Sequence, residues 1–260
     1  MSHWYDRSGS SRYEVEGKNG SLRPSTLRDA RKFGWVPSVS TVWSDVIAKP
    51  MLNKWIQTEL LKEFHLQVKE RGGSGVTLGF DDLESLTRSQ FNASQQKVMK
   101  RGTDIHNYLE MFFKKEGSIP TQILPLCEAV AYKLSEVCGD QDWEVEKSFA
   151  HPSGYGGKTD MCSDEWVIDF KTKEFPDNPN VKKMVYDDHA VQLAAYDQGL
   201  VNTLTTPRRL LNLFIDVKDA NAPRVLEWEH EDTDRYRQMF NSALSLWKLS
   251  KKYNPEWHIL

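Results

Sequence analysis

The amino-acid sequence predicts an α/β or α+β fold in which helices pack around a mixed β-sheet. Up to residue 137 the apolar residues recur mainly at helical spacing, whereas from Trp143 onward short segments alternate apolar and polar residues as β-strands do. Helical patterns separate and follow the two groups of strands, so the predicted order is helix, strands, helix, strands, helix. This order is typical of helices packed around a mixed sheet.

The first part of the chain carries the long helical patterns. A Ser/Thr-rich helix start at "PSVSTV" precedes a helical run that contains Trp55 and Phe64. Glycines at positions 72, 73, 75 and 79 then break the pattern, and we interpret the break as a passive connector or as a mobile loop near a substrate. Two further helices are predicted over residues 92–115 and 121–137. The first of them has a predicted buried stripe of four side chains: Val98, Ile105, Leu109 and Phe112.

The second part of the chain predicts two pairs of strands. The segments "GKTDMCS" and "EWVIDFKTK" form an antiparallel hairpin, and "LLNLFIDVK" and "RVLEWEHE" form the second pair. Between the pairs, "DDHAVQLAAYDQG" is a short helix that Asp187 or Asp188 caps and Gly199 ends. A last helix over residues 233–252 aligns four side chains for packing: Tyr236, Phe240, Leu244 and Trp247.

The composition excludes several classes of protein. The chain has 260 residues, 39% of them hydrophobic and 27% charged, which suffices for one large domain or two small ones. No stretch approaches the roughly 18 consecutive apolar residues of a membrane span, and the first residues lack a signal-peptide core. Three cysteines, at positions 127, 138 and 162, are too few for a disulfide framework, an all-cysteine zinc site or a four-cysteine iron–sulfur cluster, so we expect buried thiols. A formal charge of −3 gives no global attraction to nucleic acid, so any such binding must use local basic patches.

The stretch "GYGGKTD", residues 154–160, begins like a nucleotide-binding loop. Such a loop needs a glycine five residues before its Gly-Lys pair and a helix after it, so that main-chain N–H groups converge on the phosphate. Pro152 occupies the position of that glycine, and β segments follow in place of a helix. We therefore predict that this stretch does not bind ATP.

The predicted hairpin brings two acids and a lysine close together. With a turn at residues 163–165, Asp160 and Asp169 reach neighbouring positions, and alternation places Lys171 on the face of Asp169. Two converging carboxylates repel each other unless a cation joins them, and oxygen ligands suit Mg²⁺ or Mn²⁺. A lysine beside the ion can orient or deprotonate a water, or neutralise charge on a phosphate. The alternative is an ordinary exposed ion pair. However, Asp169 follows the apolar residues "WVI", where an unpaired carboxylate would be costly, so we favour phosphodiester hydrolysis.

The helix before these strands carries further polar candidates. His106 lies beside the apolar stripe, and such a histidine is either a hydrogen-bonded boundary residue or a metal ligand. Three basic residues on the same helix form either a phosphate-facing surface or a solvated helix face: Lys97, Lys100 and Arg101. Three hydroxyl side chains near the helix start at "PSVSTV" lie where free N–H groups suit a phosphate: Ser38, Ser40 and Thr41. We expect both groups to contact the phosphate backbone of a nucleic acid.

Four short motifs occur together in the order found in a known superfamily. They are "HNYLE" with His106, "GGKTD" with Asp160, "IDFKT" with Asp169 and Lys171, and "QLAAY" with Gln192 and Tyr196. In this order the chain resembles the PD-(D/E)XK nucleases, and more narrowly their RecB-like branch, which includes phage-type exonucleases and the mitochondrial genome maintenance exonuclease. The resemblance implies a restriction-endonuclease-like core with a mixed β-sheet flanked by helices. Such a core would occupy residues 91–260 of a single nuclease domain spanning 1–260, after an N-terminal helical region over 1–90.

The resemblance also implies a role for each motif residue. Asp160, Asp169 and the main-chain carbonyl of Phe170 would bind Mg²⁺ or Mn²⁺, and His106 would add an imidazole that favours Mn²⁺. Lys171 would position or activate the attacking water. Gln192 and Tyr196, four residues apart on one helix face, would contact the scissile phosphate or the lysine. Members of the branch with an iron–sulfur cluster use four cysteines, which this chain does not have.

The resulting expectation is a metal-dependent DNA exonuclease that acts on single-stranded or free ends. The alternative is a nucleic-acid-binding or assembly module that keeps the nuclease fold without turnover. We expect a cytoplasmic protein, in the host cytoplasm if a phage encodes it, with a recombination or replication protein as a candidate partner and without membrane contact. The intact set of motif residues favours the enzyme.

Overall fold

The computed structural model describes residues 3–71, 79–200, 207–218 and 223–257. The strands are β1 (Trp4–Tyr5), β2 (Glu14–Glu16), β3 (Leu22–Pro24), β4 (Val36–Pro37), β5 (Glu144–Val145), β6 (Ser148–His151), β7 (Tyr155–Lys158), β8 (Met161–Cys162), β9 (Trp166–Lys173), β10 (Arg209–Asp216) and β11 (Val225–His230). The helices are α1 (Leu27–Phe33), α2 (Val39–Val46), α3 (Pro50–Arg71), α4 (Phe80–Lys114), α5 (Leu124–Cys138), α6 (Asp187–Gly199) and α7 (Thr233–Lys251). A short 3-10 helix lies at Val181–Lys183.

A five-stranded mixed sheet with the order β11-β10-β9-β8-β5 is the centre of the fold. Strands β9 and β10 are parallel, whereas β8 pairs antiparallel with β9 and β11 pairs antiparallel with β10. The predicted hairpin, the second strand pair and the mixed α/β class are therefore confirmed. Strand β9 lies in the middle because the run from Trp166 to Ile168 is apolar on both faces and is fully buried.

The chain divides into two compact units. The first comprises Met1–Ile47 and His106–Leu260, and the second comprises Ala48–Ile105. These boundaries differ from the predicted division at residue 90, because the first 47 residues contain four strands and two helices, of which α2 packs against α6 and α7. The expectation of one nuclease domain over residues 1–260 remains a prediction.

The "GYGGKTD" stretch forms a packed strand. Gly156 and Gly157 lie in β7, which pairs with β6. A Cβ on Gly156 would lie 2.9 Å from Tyr5 Cβ, and a Cβ on Gly157 would lie 2.7 Å from Tyr196 Cε1. The two glycines thus allow aromatic rings to pack closely on the strand, which is not the loop-to-helix context of a nucleotide-binding motif.

Helix α6 shows one wrong and one correct boundary prediction. Its N-cap is Tyr186, which makes no side-chain capping bond, so the predicted cap by Asp187 or Asp188 is wrong. Both acids lie in the first turn, where their negative charge favours the positive end of the helix. Gly199 ends the helix as predicted, but its role is in packing, because a Cβ there would lie 1.9 Å from Phe149 Cε2.

The other helix predictions hold in part. Ser38 caps α2 by accepting a hydrogen bond from the Thr41 N–H, and the predicted long run divides before Pro50, which begins α3. The first predicted packing stripe is correct at Ile105 and Leu109 but wrong at Val98, which is 66% exposed. Helical periodicity shows which residues share a face, but not whether another element covers that face.

The remaining packing predictions are borne out. In α7, Phe240, Leu244 and Trp247 are buried, and Tyr236 packs partly buried against the same core.

Residues 72–78 of the glycine-rich break lie outside the described residues. All three cysteines are free and buried as expected. Among the helices of the described segments, none is long and apolar enough to cross a membrane.

Candidate active site

Strand pairing brings Asp160 and Asp169 together. The pairing of β8 with β9 ends at Met161 opposite Ile168, so the next residue on each strand is one of the two acids. In place of a further strand bond, the Phe170 N–H donates to Asp160 Oδ2 at 2.6 Å. The hairpin geometry predicted from the sequence therefore places one carboxylate against the main chain beside the other.

Asp169 is the side chain of the site on which several hydrogen-bond donors converge. It is 4% exposed and accepts hydrogen bonds from three side chains. Lys171 Nζ lies 2.7 Å from Oδ2 and 3.0 Å from Oδ1, and Gln192 Nε2 lies 3.1 Å from Oδ1. Asn212 Nδ2 donates to Oδ2 at 2.7 Å. All of these partners are donors, which is the environment of an ionised carboxylate.

Helix α6 carries Gln192, which contacts both Lys171 and Asp169. Helix α6 packs on β9 and β10, which directs Gln192 to the site. Gln192 Oε1 accepts from Lys171 Nζ at 3.1 Å, and Gln192 Nε2 donates to Tyr196 Oη at 2.9 Å. The i,i+4 spacing of Gln192 and Tyr196 thus produces a continuous hydrogen-bonded chain from Tyr196 to Asp169.

His106 lies on the other side of Asp160. Its Nδ1 is 3.3 Å from Asp160 Oδ1, and its ring packs edge-on against the Phe170 ring with centroids 6.1 Å apart. Burial alone would lower the pKa of His106, but the hydrogen bond and the charge of Asp160 outweigh this effect and raise it. His106 is therefore partnered by the first acid, as a ligand or a boundary histidine would be.

Burial and charge act differently on the two carboxylates. Burial would raise the pKa of Asp160, but the hydrogen bond and positive charge of His106 lower it below its usual value. For Asp169, burial raises the pKa, the charge of Lys171 opposes this, and the negative charge of Asp160 adds to the increase. The two acids are thus close enough to repel each other, and a cation between them would relieve that repulsion.

The Phe170 carbonyl lies at the same edge of β9 as its N–H. In a β-strand, the N–H and C=O of one residue point to the same neighbouring strand. Because the Phe170 N–H is directed to Asp160, its carbonyl is directed to the same space beyond the end of β8. This direction agrees with the ligand role that the sequence resemblance implies.

The types of donor present fit a hard divalent cation. Two carboxylates and a main-chain carbonyl are oxygen ligands of the kind that Mg²⁺ and Mn²⁺ take, and an imidazole is accepted by Mn²⁺. Within the described ranges, however, no three His, Cys, Asp or Glu side chains form a group that could hold a metal ion. The reason is visible at Asp169, whose two oxygens are bonded to Lys171 and to two amides, whereas His106 and Asp160 form a separate pair.

The predicted DNA contacts belong to helices α4 and α2. Lys97, Lys100 and Arg101 are exposed residues of the second unit. At the start of α2, Ser38 Oγ accepts from the Thr41 N–H at 3.0 Å and donates to Thr41 Oγ1 at 2.9 Å. Ser40 is exposed. These six residues stay predicted contacts.

Two site residues were missed by sequence reasoning. Asn212 contacts Asp169, and His230 contacts Asn212 with Nε2 2.8 Å from Oδ1. The sequence does contain an indication of Asn212, because it is the one polar residue within the apolar run "LLNLFI". Its partner could not be identified, because the parallel register of β9 and β10 is not visible in the sequence.

Similarity to known proteins is found among solved structures. No protein-family model matches the chain, and no curated protein matches it. Among solved structures, the chain is similar to an alkaline exonuclease from Laribacter hongkongensis, with 13% sequence identity and a TM-score of 0.35. The match covers 58% of this chain and 79% of that chain. At this level of similarity, function has to be argued from the geometry of the site.

Proposed function

We propose that this chain is a nuclease of the PD-(D/E)XK type that hydrolyses phosphodiester bonds of DNA with Mg²⁺ or Mn²⁺. One observation carries the proposal. Lys171 Nζ lies between Asp169 and Gln192, on the strand whose main chain also binds Asp160. A partly buried lysine that is held by a buried carboxylate and an amide is suited to act on a water or a phosphate, and this arrangement differs from an exposed ion pair. The motif order of the RecB-like branch supports the same function.

The proposed metal ligands are His106, Asp160, Asp169 and the carbonyl of Phe170. A divalent ion bound there would polarise the phosphate and increase the acidity of a bound water. Asp169 is buried and Asp160 is partly buried, and the repulsion between the two carboxylates would favour a cation between them.

Lys171 is the proposed water-positioning group. A lysine ammonium has three N–H donors and no acceptor. Nζ lies 2.7 Å and 3.0 Å from the two carboxylate oxygens of Asp169 and 3.1 Å from Gln192 Oε1, and these contacts fix its location. A metal ion bound to Asp169 would compete for the carboxylate, and an N–H donor released from it would contact a water or a phosphate oxygen, where the positive charge would stabilise the negative charge that develops during hydrolysis.

Gln192 and Tyr196 are the proposed phosphate contacts. Tyr196 Oη accepts from Gln192 Nε2, so its own O–H remains able to donate. Burial raises the pKa of Tyr196 far above its usual value, with a further increase from the charge of Asp169. Tyr196 therefore stays protonated and acts as a hydrogen-bond donor, not as a base.

We also propose that the enzyme digests single-stranded DNA from an end. The resemblance to phage-type and mitochondrial exonucleases supports this substrate. The helix that carries His106 also carries Lys97, Lys100 and Arg101, which are proposed contacts to the phosphate backbone. Ser38, Ser40 and Thr41 are proposed contacts at the start of α2. Such contacts do not depend on the base sequence.

Digestion of linear and circular single strands tests the function. Linear strands labelled at the 5′ or 3′ end are incubated with Mg²⁺, with Mn²⁺ or with EDTA, and a circular strand of the same sequence is the matched control. We expect linear strands to shorten from an end only when metal is present, while circles stay intact. Intact linear strands under every condition would contradict the proposal. Retarded but undigested DNA would then favour the binding module.

A further inference from the structure

Two buried polar side chains lie next to Asp169 within the sheet. Asn212 on β10 is 0% exposed and pairs in register with Asp169 on β9. Its Nδ2 donates to Asp169 Oδ2 at 2.7 Å and to the Asp169 carbonyl at 3.2 Å. His230 on β11 is 4% exposed and places Nε2 2.8 Å from Asn212 Oδ1. The three side chains connect three adjacent strands.

In the hydrogen-bonded series from Asp169 through Asn212 to His230, the chemistry of the groups determines which atom donates in each bond. Among the described residues, the side chains that hydrogen-bond to Asp169 are donors, so its oxygens are acceptors and Asn212 presents its NH₂ group to them. Asn212 Oδ1 consequently faces His230, whose Nε2 must carry the proton and donate. Burial lowers the pKa of His230 to about 4, so the ring is neutral at pH 7 and has one N–H.

We propose that His230 and Asn212 are positioning residues for Asp169 in the nuclease reaction. His230 fixes the amide of Asn212, and Asn212 fixes the carboxylate. Without the bond from His230, the amide can turn over and present its oxygen to the carboxylate, which repels it. The inference rests on the proposed function, since it assigns a purpose to the orientation of Asp169.

The surroundings of Asn212 argue against a purely structural role. Its neighbours on β10, Leu211 and Leu213, are fully buried, and an apolar residue at position 212 would need no partner. A buried amide is stabilising only when its hydrogen bonds are made, so a polar pair inside the sheet needs a reason other than packing. Asn212 bonds to one carboxylate oxygen of Asp169, Oδ2, and to its main-chain carbonyl, whereas Lys171 contacts both carboxylate oxygens. The bond from Asn212 can therefore persist when the other contacts change.

Steady-state kinetics of four variants tests this role. His230→Phe keeps a ring without the donor, His230→Gln supplies an amide N–H in place of Nε2–H, and Asn212→Leu removes the amide. Leu211→Val is the matched control, because it changes a buried β10 residue whose side chain points to the opposite face of the sheet. All rates are measured with Mg²⁺ at a temperature where each variant is folded.

We expect kcat to fall by about 10- to 100-fold in His230→Phe and Asn212→Leu, with little change in KM. A loss of this size, about 10- to 100-fold, is typical when a residue that orients a metal ligand by hydrogen bonding is removed. His230→Gln should recover most of the rate, and Leu211→Val should lose stability but not kcat. Rates that follow only the folded fraction, or a His230→Gln variant no faster than His230→Phe, would overturn the inference.

Nitrogen-15 NMR of the His230 ring gives a readout that needs no activity. We expect the Nε2–H tautomer in the wild-type protein and a loss of that preference in Asn212→Leu. If the wild-type protein is active and His230 carries its proton on Nδ1, this inference is contradicted and the proposed nuclease function is not. An inactive wild type would remove the proposed function, and with it the use of Asp169, while the NMR result would still decide whether His230 orients Asn212.

Discussion

Asp160 is bound at both oxygens by different elements of the fold. The Phe170 N–H donates to Oδ2 at 2.6 Å, and His106 Nδ1 lies 3.3 Å from Oδ1. A single carboxylate thus links the strand that carries Asp169 and Lys171 to the helix that carries His106. This link is the geometric basis for a shared role of the four residues.

Replacement of His106 separates a ligand from a packing residue. If His106 binds metal, His106→Ala should weaken Mn²⁺ binding by at least about tenfold and reduce the advantage of Mn²⁺ over Mg²⁺, because imidazole favours transition metals. The melting temperature should change little. Calorimetric titration with Mn²⁺ measures the affinity, and His151→Ala is a control at a histidine that contacts Tyr155. A fall in stability with unchanged affinity would assign His106 to packing.

Replacement of Lys171 separates water activation from metal binding. Lys171→Met keeps much of the side-chain length but removes the charge that Asp169 and Gln192 hold. We expect turnover to fall by about 10²- to 10⁴-fold, the usual contribution of a positioned proton-transfer group. Mn²⁺ affinity should be unchanged or higher, because the competing contact to Asp169 is gone. A variant that turns over normally would exclude Lys171 from the reaction.

The lowered pKa values of two histidines indicate that the protein loses stability in acid. Burial lowers the pKa of both His189 and His230 to about 4, below the unfolded value of 6.5. On acidification the unfolded state binds these protons first, so stability present above pH 6.5 is lost as the pH falls from 6.5 to 4. For His230 the loss is on the order of 3 kcal/mol.

Urea unfolding at pH 7.5 and pH 4.5 checks this acid dependence. We expect the wild type to lose more stability between the two conditions than His230→Gln does, since glutamine does not titrate. Carboxylates that titrate in the same range affect both proteins equally. Equal losses would show that His230 is not held neutral by burial.

If three basic residues of α4 contact DNA phosphates, they should contribute to the salt dependence of DNA binding. Simultaneous replacement of Lys97, Lys100 and Arg101 by alanine should weaken binding to single-stranded DNA in Ca²⁺, which we expect to permit binding without fast cleavage. Each lost phosphate contact should reduce the slope of log K against log salt by about 0.7, and three contacts by about 2. Binding should depend little on base sequence. An unchanged affinity and salt slope would remove this helix from the DNA path.

The sequence could predict the parts of the site that depend on local patterns. The apolar "WVI" before Asp169 predicted a buried strand, and the turn at residues 163–165 predicted the hairpin that brings Asp160 beside it. Both depend on alternation and turn chemistry within one short segment. The i,i+4 spacing of Gln192 and Tyr196 likewise predicted their common face.

Features that depend on distant elements could not be predicted. Asn212 meets Asp169 through a parallel pairing across 43 residues, and His230 reaches Asn212 through a third strand. The exposure of Val98 also differs from the prediction, because burial depends on what packs beside the helix and not on its own periodicity. Long-range register is the information that one sequence does not contain.

Isosteric replacement of the two acids tests the central claim most directly. Asp160→Asn and Asp169→Asn keep the shape of the side chains, and an amide oxygen can still accept from the Phe170 N–H. The measurement is the rate at which each purified protein digests an end-labelled linear single strand with Mg²⁺. We predict a rate for both variants at least about 100-fold below the wild type, because each loses a metal ligand. The melting temperature of Asp160→Asn should stay close to the wild type, since its amide oxygen still accepts from the Phe170 N–H. Digestion at the wild-type rate by either variant would contradict the account.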